Sequence, residues 1–202
     1  MSSSSVTRGF GFLEGFLANQ RSKVCNRKIP SEYRKGRVLD IGCGTYPLFL
    51  MSTKFSEKYG LDKIVTDNYL YQFHNHGITL INQDIQKKSK LPFDDEFFDV
   101  VTMLAVIEHI EPEKIVGIVS EICRILRRGG ILIVTTPAFW TNKLLKFLSV
   151  LRLVSPVEID EHKIYFTHQK LAYFLQGGGF ENYNLQLGYF EVFMNIWATA
   201  MK

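Results

Sequence analysis

The feature that most constrains the fold is an apolar run ending in an acid and two alternating glycines, the stretch RVLDIGCGTYP at residues 37–47. A strand that leads into a tight glycine turn and then a helix is how an open α/β sheet presents a ligand at the carboxyl end of its first strand. Glycine allows positive φ and close backbone approach, and the free N–H groups of a helix start point towards the ligand. The stretch therefore predicts a ligand site at the edge of an α/β sheet.

The residues around the glycines narrow the class of ligand. A dinucleotide fingerprint requires a third glycine three positions after the second, and Pro47 occupies that position. The carboxylate of Asp40, next to the turn, is poorly placed for a pyrophosphate. It indicates instead a ligand that carries cationic or hydroxyl groups.

Three segments resemble those of one known family. The string LDIGCGT at residues 39–45 resembles motif I of the class I S-adenosylmethionine-dependent methyltransferases. LPFDDEFFDVV at residues 91–101 is similar to the family's Leu-Pro-Phe loop and the strand after it, and Glu108-His109-Ile110 resembles a further family signature. The resemblance covers roughly residues 36–182 and departs at Tyr46, where the family usually has a third glycine. It implies a methyltransferase whose cofactor is S-adenosylmethionine.

Hydrophobic patterning and the resemblance together predict one fold. Pattern alone indicates five parallel strands, a helix after the glycine turn at 47–59, an amphipathic helix from Pro112 that ends at Gly129-Gly130, and a last helix at 168–176 capped by Thr167. The family implies seven strands, hence a single doubly wound, mostly parallel Rossmann-like sheet with helices on both faces and the last strand antiparallel. The predicted strands are residues 38–41, 63–67, 78–84, 100–104 and 131–135, followed by two closing strands near 181–187 and 192–200.

We divide the chain into a basic amino-terminal helical arm, residues 1–35, and a cofactor-binding domain, residues 36–202. Apolar residues at helical spacing (Leu13, Phe16, Leu17 and Val24) predict a helix over about 10–27, which either caps the ligand or packs at a sheet edge. Residues 1–37 carry eight Lys and Arg and two Glu, while the whole chain has a net charge of only +4. Such an arm can face an anionic partner or form a solvated helix face. An apolar insert at 138–158 is interpreted as a substrate lid, an interfacial helix or an oligomer contact.

An acid after the second strand has a specific use, because a carboxylate can accept a hydrogen bond from each ribose hydroxyl. We favour Asp67, since a β-branched pair precedes it, and keep Asp62 as the alternative if the strand begins near residue 58. Asp84 and the Ile85 N–H, after the third strand, are predicted to meet the adenine. The predicted cofactor-binding residues are Asp40, Gly42, Cys43, Gly44, Tyr46, Asp67, Asn68, Asp84, Ile85 and Leu104.

The predicted reaction requires little from the protein beyond alignment and exclusion of water, because a sulfonium methyl group is already electrophilic. A base is needed only for a protonated nucleophile, and His109 and His162 are the candidates. No cluster has metal-ligand spacing, so no metal site is predicted. The alternatives are a non-catalytic cofactor-binding module or partner subunit, a nicotinamide dehydrogenase and, more weakly, a nucleic-acid methyltransferase.

Cysteine usage and hydropathy suggest the cellular context. The three cysteines are far apart and lack CxxC spacing, which fits a reducing compartment. No apolar run reaches the ~18 residues of a membrane span. We therefore expect a cytoplasmic enzyme acting on a small-molecule, lipid-like or glycan-type acceptor, as a monomer or homodimer. No nucleic-acid partner is expected, and peripheral membrane contact through the insert is one option.

Overall fold

The computed structural model describes residues 14–65, 72–88, 90–141 and 163–202. The helices that lie wholly in this part of the chain are α1 (Glu14–Lys28), α2 (Leu48–Ser52), α3 (Pro112–Ile125) and α4 (His168–Gly177), and residues 72–74 are also helical. The strands are β1 (Arg37–Ile41), β2 (Glu57–Asp62), β3 (Ile78–Asn82), β4 (Phe98–Leu104), β5 (Leu126–Pro137), β6 (Leu185–Phe190) and β7 (Asn195–Met201). Short 3₁₀ segments are Ser31–Lys35, Ile107–His109, Phe139–Thr141 and Asn182–Asn184.

The seven strands form one sheet in the order β3-β2-β1-β4-β5-β7-β6. Strands β1 to β5 are parallel, whereas β7 is antiparallel to both of its neighbours, β5 and β6. The chain therefore winds outward in both directions from β1 and β4, which brings the ends of these two strands together at the switch point. The predicted fold is confirmed, including the single antiparallel strand.

Apolar side chains fill both faces of the sheet. On one face, α3 and α4 cover the inward residues of β1, β4, β5 and β7, and Ile115, Ile122 and Leu175 are fully buried there. On the other face, α1 and α2 cover a smaller core that includes Cys25, Phe49 and Leu50. Because helices cover both faces, the central strands are apolar on both sides.

Helices α3 and α4 follow their sequence signals. Pro112 occupies the first turn of α3, where a missing N–H costs nothing, and isoleucines at positions 115, 118, 122 and 125 face the core. The Thr167 hydroxyl caps α4 by accepting a hydrogen bond from Lys170 N at 3.2 Å, as predicted. The predicted end of α3 at Gly129-Gly130 was wrong, because the chain leaves the helix after Ile125 and Gly129 and Gly130 lie inside β5.

Helix α1 buries a different face from the one predicted. Its buried residues are Ser22 and Cys25, and Ile29, which follows the helix directly, is buried as well. Phe16, by contrast, is 58% exposed. The side of α1 that faces the sheet carries the small residues Ala18, Ser22 and Cys25. The spacing of the larger apolar side chains therefore did not mark the buried face of the helix.

The second strand and the helix before it also differ from the prediction. Helix α2 has only five residues, and β2 is Glu57–Asp62 rather than 63–67. Gly60, the residue after the helix predicted at 47–59, is in the middle of β2. A Cβ there would lie 2.7 Å from Leu80 Cδ2 and 2.9 Å from Cys43 Sγ, so packing requires glycine at this position.

A dense polar network closes the sheet at the amino ends of its central strands. Asp99 Oδ2 accepts from Arg37 N at 2.7 Å, and Asp99 Oδ1 accepts from Arg127 Nε at 2.5 Å. The Tyr33 hydroxyl donates to Gly129 O at 2.5 Å, and the Arg127 guanidinium lies over the Tyr33 ring. These contacts give Asp99 a structural role at the amino end of β4.

The segment after β5 begins with the 3₁₀ turn Phe139–Thr141, in which Phe139 and Trp140 are 61% and 51% exposed. The rest of the apolar insert, residues 142–158, lies outside the described residues. In the part of the chain that the structure describes, no helix is long and apolar enough to cross a membrane.

Candidate cofactor-binding site

The glycine turn after β1 has the backbone conformation that its sequence predicts. Gly42 and Gly44 have φ values of +77° and +71°, in the left-handed region that other residues rarely adopt. A Cβ on Gly42 would also lie 2.3 Å from Val106 Cγ2. The turn is therefore pressed against the chain that leaves β4, and any larger residue at position 42 would displace it.

The acid that meets this turn is Asp62, the last residue of β2. Its Oδ2 accepts from Gly44 N at 2.9 Å and its Oδ1 accepts from Ile64 N at 3.2 Å. The side chain is 3% exposed. Our preference for Asp67 rested on a strand at 63–67, and that strand assignment is contradicted: β2 ends at Asp62. Asp67 and Asn68 lie outside the described residues.

Asp40 lies one strand away, in the middle of the sheet. It is 4% exposed, and its Oδ1 accepts a 2.6 Å hydrogen bond from the Thr102 hydroxyl on β4. Burial raises the pKa of Asp40 to about 7; the Thr102 bond opposes this shift and the nearby Asp62 adds to it. A buried acid poised near neutrality is suited to a cationic group.

Asp84 and Ile85 follow β3 in a turn. Asp84 Oδ1 accepts from Gln86 N at 2.9 Å, which fixes the carboxylate in an Asx-type turn. The Gln86 side chain then ties this loop to the loop after β4, because it donates to His109 O at 3.3 Å and accepts from Glu111 N at 2.9 Å. The loops after β3 and β4 therefore form one connected rim at the carboxyl edge.

The chain leaves β4 through a left-handed residue, Ala105, with φ of +56°. Its N–H is held by Thr135 on β5, at 2.9 Å from the carbonyl oxygen and 3.2 Å from the hydroxyl. Backbone outliers of this kind persist only where surrounding contacts fix them, and they cluster at functional sites. His109 lies one turn further on, at the end of the 3₁₀ segment that begins at Ile107.

A small cavity of about 50 Å³ opens beside the glycine turn. Helix α1 forms one wall and the sheet with α2 forms the other. The lining residues are Ala18, Arg21, Ser22, Asp40, Gly42, Cys43, Leu48, Phe49 and Leu104. Of the predicted site residues, the structure thus brings together Asp40, Gly42, Cys43 and Leu104 around one cavity.

Tyr46 and Cys43 have packing contacts within the turn. The Tyr46 ring packs edge-on against Phe73, with 5.7 Å between ring centroids. The Cys43 thiol is buried and lies 3.6 Å from Gly44 O. Tyr46 therefore borders the turn without displacing the glycines from their left-handed conformation.

Sequence reasoning missed three contributors to this site: Thr102, Arg21 and Ser22. Residues 18, 21, 22 and 25 form one face of α1, and this polar, small-residue face just before the glycine motif was the available signal. His162 lies outside the described residues. No group of three or more potential metal ligands occurs among residues 14–65, 72–88, 90–141 and 163–202.

Comparisons with known proteins agree with this geometry. The family described as a methyltransferase domain matches residues 39–134, from the middle of β1 to β5. The matched part of this chain is a class I S-adenosylmethionine-dependent methyltransferase domain. The family assignment made from motif I, the Leu-Pro-Phe loop and residues 108–110 is confirmed, and S-adenosylmethionine is the family's cofactor.

The individual relatives of this chain are distant. The tRNA N(3)-cytidine methyltransferase METTL2 of Gallus gallus is 26% identical over 58% of this chain and 34% of its own length. O-methyltransferase 3 of Dictyostelium discoideum is 24% identical over 82% of this chain and 41% of its own length. The chain thus spans well under two thirds of the length of these relatives. A solved methyltransferase of Thermotoga maritima, described as a possible histamine N-methyltransferase, has the same fold, with a TM-score of 0.69 at 20% identity and coverage of 93% and 89% of the two chains.

The residues of this site fit the family's cofactor. The left-handed Gly42 and Gly44 leave the turn without side chains, and the Asp62 carboxylate is held beside it. The backbone N–H groups of Gly44 and Ile64 orient this carboxylate, a group whose oxygens can accept several hydrogen bonds. The cavity adds a buried acid, Asp40, and a guanidinium, Arg21, on opposite walls.

Proposed function

We propose that this chain transfers a methyl group from S-adenosylmethionine to a small-molecule, lipid-like or glycan-type acceptor. The observation that supports the proposal most strongly is the hydrogen bond that the Asp62 carboxylate accepts from Gly44 N. This bond lies at the carboxyl edge of the sheet, where the chain turns in opposite directions after the neighbouring strands β1 and β4. In doubly wound sheets this edge is where ligands bind. An oriented carboxylate beside a bare glycine turn suits a ribose and its two hydroxyls.

Each predicted residue has a proposed part in holding the cofactor. Asp62 takes the ribose role for which Asp67 was first considered, and Asp84 with the Ile85 N–H remains the proposed contact for the adenine. Asp40 would lie near the cationic end of the ligand. When bound, the cofactor supplies a methyl group that is already electrophilic, so the protein's remaining work is to align the acceptor and exclude water.

The acceptor is proposed to approach over the ends of β4 and β5. Phe139 and Trp140 follow β5 directly and are 61% and 51% exposed, which offers apolar contact area at this edge. Large exposed aromatic side chains are typical of surfaces that bind a ligand or partner. This placement supports an acceptor with an apolar part.

His109 is the proposed base for an acceptor that must lose a proton. It lies at the rim formed by the loops after β3 and β4, where Gln86 fixes its carbonyl group. Histidine can take a proton near neutral pH, which a hydroxyl acceptor would require. His162 keeps the same proposed role.

A nucleic-acid acceptor receives less support from the basic arm than its charge suggests. Arg34 donates to Asn26 and Thr53, and Arg37 forms an ion pair with Glu57 at 2.9 Å. Lys28 lies 3.3 Å from the centroid of the Trp197 ring. These cations stabilise the fold, which leaves fewer charges for phosphates.

The first test is calorimetric titration of the full chain with S-adenosylhomocysteine, with NAD as the control ligand. Micromolar binding of S-adenosylhomocysteine with no NAD signal is the expected result. Binding of NAD alone would overturn the proposal in favour of a dehydrogenase.

The second test measures transfer of a labelled methyl group from S-adenosylmethionine to matched acceptors: phenols and alkylamines, a polar lipid extract, and total tRNA. Transfer to the small molecules or lipids supports the proposal. Salt-sensitive transfer to tRNA would replace it with a nucleic-acid activity. Tight cofactor binding with no transfer to any class would favour the non-catalytic module.

A further inference from the structure

One wall of the cavity beside the glycine turn is helix α1, and it contributes a charged side chain. Ala18, Arg21 and Ser22 face the cavity because residues three and four apart share one face of a helix. The opposite wall includes Asp40 and Gly42. A cation and an acid therefore line the same small space from two different layers of the fold.

Neighbouring contacts fix the position of α1 above this space. The hydroxyls of Ser22 and Ser52 are 3.0 Å apart and join α1 to the end of α2. Cys25, one turn further along, is fully buried in the core beneath the helix. Arg21 directly precedes Ser22 and lies one turn before Cys25, so its backbone is held against the cavity.

One nitrogen of the Arg21 guanidinium lacks an acceptor among the described residues. Its Nε is buried and donates a hydrogen bond to no described residue. Glu191 is near enough for the Arg21 charge to oppose the burial that raises the pKa of that carboxyl. Glu191 Oε2, however, accepts from Asn195 Nδ2 at 2.5 Å rather than from Arg21. A buried donor without an acceptor is costly, and a ligand anion would remove that cost.

The cofactor proposed above carries an anion of the required kind. Its amino-acid tail ends in an ammonium group and a carboxylate. The cavity of about 50 Å³ has room for the end of such a tail, whereas a whole nucleoside requires far more space. Asp40 on one wall complements the ammonium group. The guanidinium on the other wall matches a carboxylate, to which arginine can donate two parallel hydrogen bonds.

We propose that Arg21 binds the carboxylate of the cofactor's amino-acid tail, so that α1 is part of the binding site and selects for that tail. This inference rests on the proposed function. In this proposal, α1 distinguishes the intact cofactor from fragments that lack the tail's carboxylate.

The test compares two ligands that differ only in that carboxylate: S-adenosylhomocysteine and its decarboxylated analogue, S-adenosyl-3-thiopropylamine. Both are titrated calorimetrically into the wild type, Arg21→Gln and Arg21→Lys. Arg27→Gln is the matched control, since Arg27 lies on the exposed side of the same helix. Circular dichroism and the thermal midpoint establish that each variant is folded.

The wild type should prefer S-adenosylhomocysteine by about 10-fold or more, the usual effect of a hydrogen bond to a charged group. Arg21→Gln should lose that preference and bind the decarboxylated analogue as the wild type does. Arg21→Lys should recover part of the preference, because lysine keeps the charge without the planar fork. Arg27→Gln should match the wild type for both ligands.

Other outcomes separate this inference from the proposed function. If Arg21→Gln weakens both ligands by the same factor, Arg21 only supports the fold and the inference is wrong, while the cofactor assignment stands. The inference about Arg21 would also be wrong if Arg21→Gln bound S-adenosylhomocysteine as tightly as the wild type does. If the wild type binds neither ligand, the proposed function itself fails and the inference fails with it.

Discussion

Asp40 and Asp99 lie on neighbouring strands, towards opposite ends of the sheet, and their surroundings differ sharply. Asp99, at the amino end of β4, accepts hydrogen bonds from Arg37 N and Arg127 Nε. Asp40 is almost completely buried, and its carboxyl group accepts a hydrogen bond from a neutral hydroxyl, that of Thr102. One acid is neutralised by the protein's own cation. The other has a pKa raised by burial to about 7.

The difference indicates which end of the sheet serves stability and which serves binding. At the amino end, polar groups of the protein form hydrogen bonds with one another, such as the one that the Tyr33 hydroxyl donates to Gly129 O. The carboxyl end concentrates features that cost stability: a buried acid, the left-handed Ala105 and a buried guanidinium nitrogen without an acceptor among the described residues. Such features are retained where a ligand uses them.

The largest expected effect comes from the substitution Asp40→Asn. In the wild type, the folded state keeps a proton on Asp40 that the unfolded chain releases above its ordinary pKa near 4, so stability falls as pH rises from about 4 to 7. An asparagine side chain cannot ionise, so at pH 8 this variant should be more stable by on the order of 2–4 kcal/mol. Urea denaturation of the wild type and of Asp40→Asn at pH 5 and pH 8 measures this difference in the free energy of unfolding.

The same substitution should weaken S-adenosylhomocysteine binding, and the wild-type affinity should rise between pH 6 and 8 as Asp40 ionises. Asp40→Asn should show a flat pH profile. Equal stability of the two proteins at pH 8, with equal affinity for the ligand, would mean that Asp40 is an ordinary core residue and would remove the contrast with Asp99.

Asp62→Ala should produce the next largest effect. Loss of a charged acceptor for ribose hydroxyls should weaken S-adenosylhomocysteine binding by about 1.5–3 kcal/mol. Asp67→Ala serves as the control and should bind nearly as well as the wild type in the same calorimetric titration. The reverse ranking would return the ribose role to Asp67.

Asp99→Ala tests the other end of the sheet. Removing the acid leaves Arg37 N and the partly exposed Arg127 without their acceptor, which should cost about 1–2 kcal/mol of folding stability. Ligand affinity should stay unchanged, since no part of the cofactor site is involved. A loss of affinity without a loss of stability would show that the two ends are not functionally separate.

Glu57→Gln should have the smallest effect. The Arg37 and Glu57 side chains that form the ion pair are 40% and 45% exposed, and exposed ion pairs contribute little. The stability change should stay within about 0.5 kcal/mol, with no change in binding. A larger change in the free energy of unfolding, measured by urea denaturation, would show that the polar network at the amino end also includes β2.

Strong local signals allowed much of the fold to be predicted. The glycine turn after β1, the amphipathic α3 and the Thr167 cap of α4 each follow from short-range chemistry, and the structure contains all three. The position of Asp40 within β1 also agrees with the predicted strand, and β3 begins at the predicted residue 78 but ends at Asn82, two residues before Asp84. The first and third strands could be found because each combines an apolar run with a clear boundary.

The second strand could not be predicted from local preference. Residues 63–67 contain β-branched side chains, whereas β2 contains Glu57, Lys58 and Gly60, which favour other structures. Pairing with β1 and β3 on both sides, and the tight space around Gly60, decide the register. This error in the strand shifts the proposed ribose acid by five residues, from Asp67 to Asp62.

The contribution of α1 was hidden for a different reason. Its inner face consists of small and polar residues, so the apolar spacing pointed to the wrong side of the helix. The buried nitrogen of Arg21 acquires meaning only once the helix is placed over Asp40. Contacts between residues so far apart in sequence depend on the assembled fold.

The small volume of the cavity under α1 has a kinetic consequence. The cavity of about 50 Å³ has room for the end of the tail, but α1 forms its wall and is joined to α2 through the Ser22 and Ser52 hydroxyls, so we expect α1 to move aside as the tail enters. Cofactor association should then be slower than a diffusional encounter. In stopped-flow experiments the observed rate should level off at high S-adenosylhomocysteine concentration, and the plateau would be the opening rate of the helix.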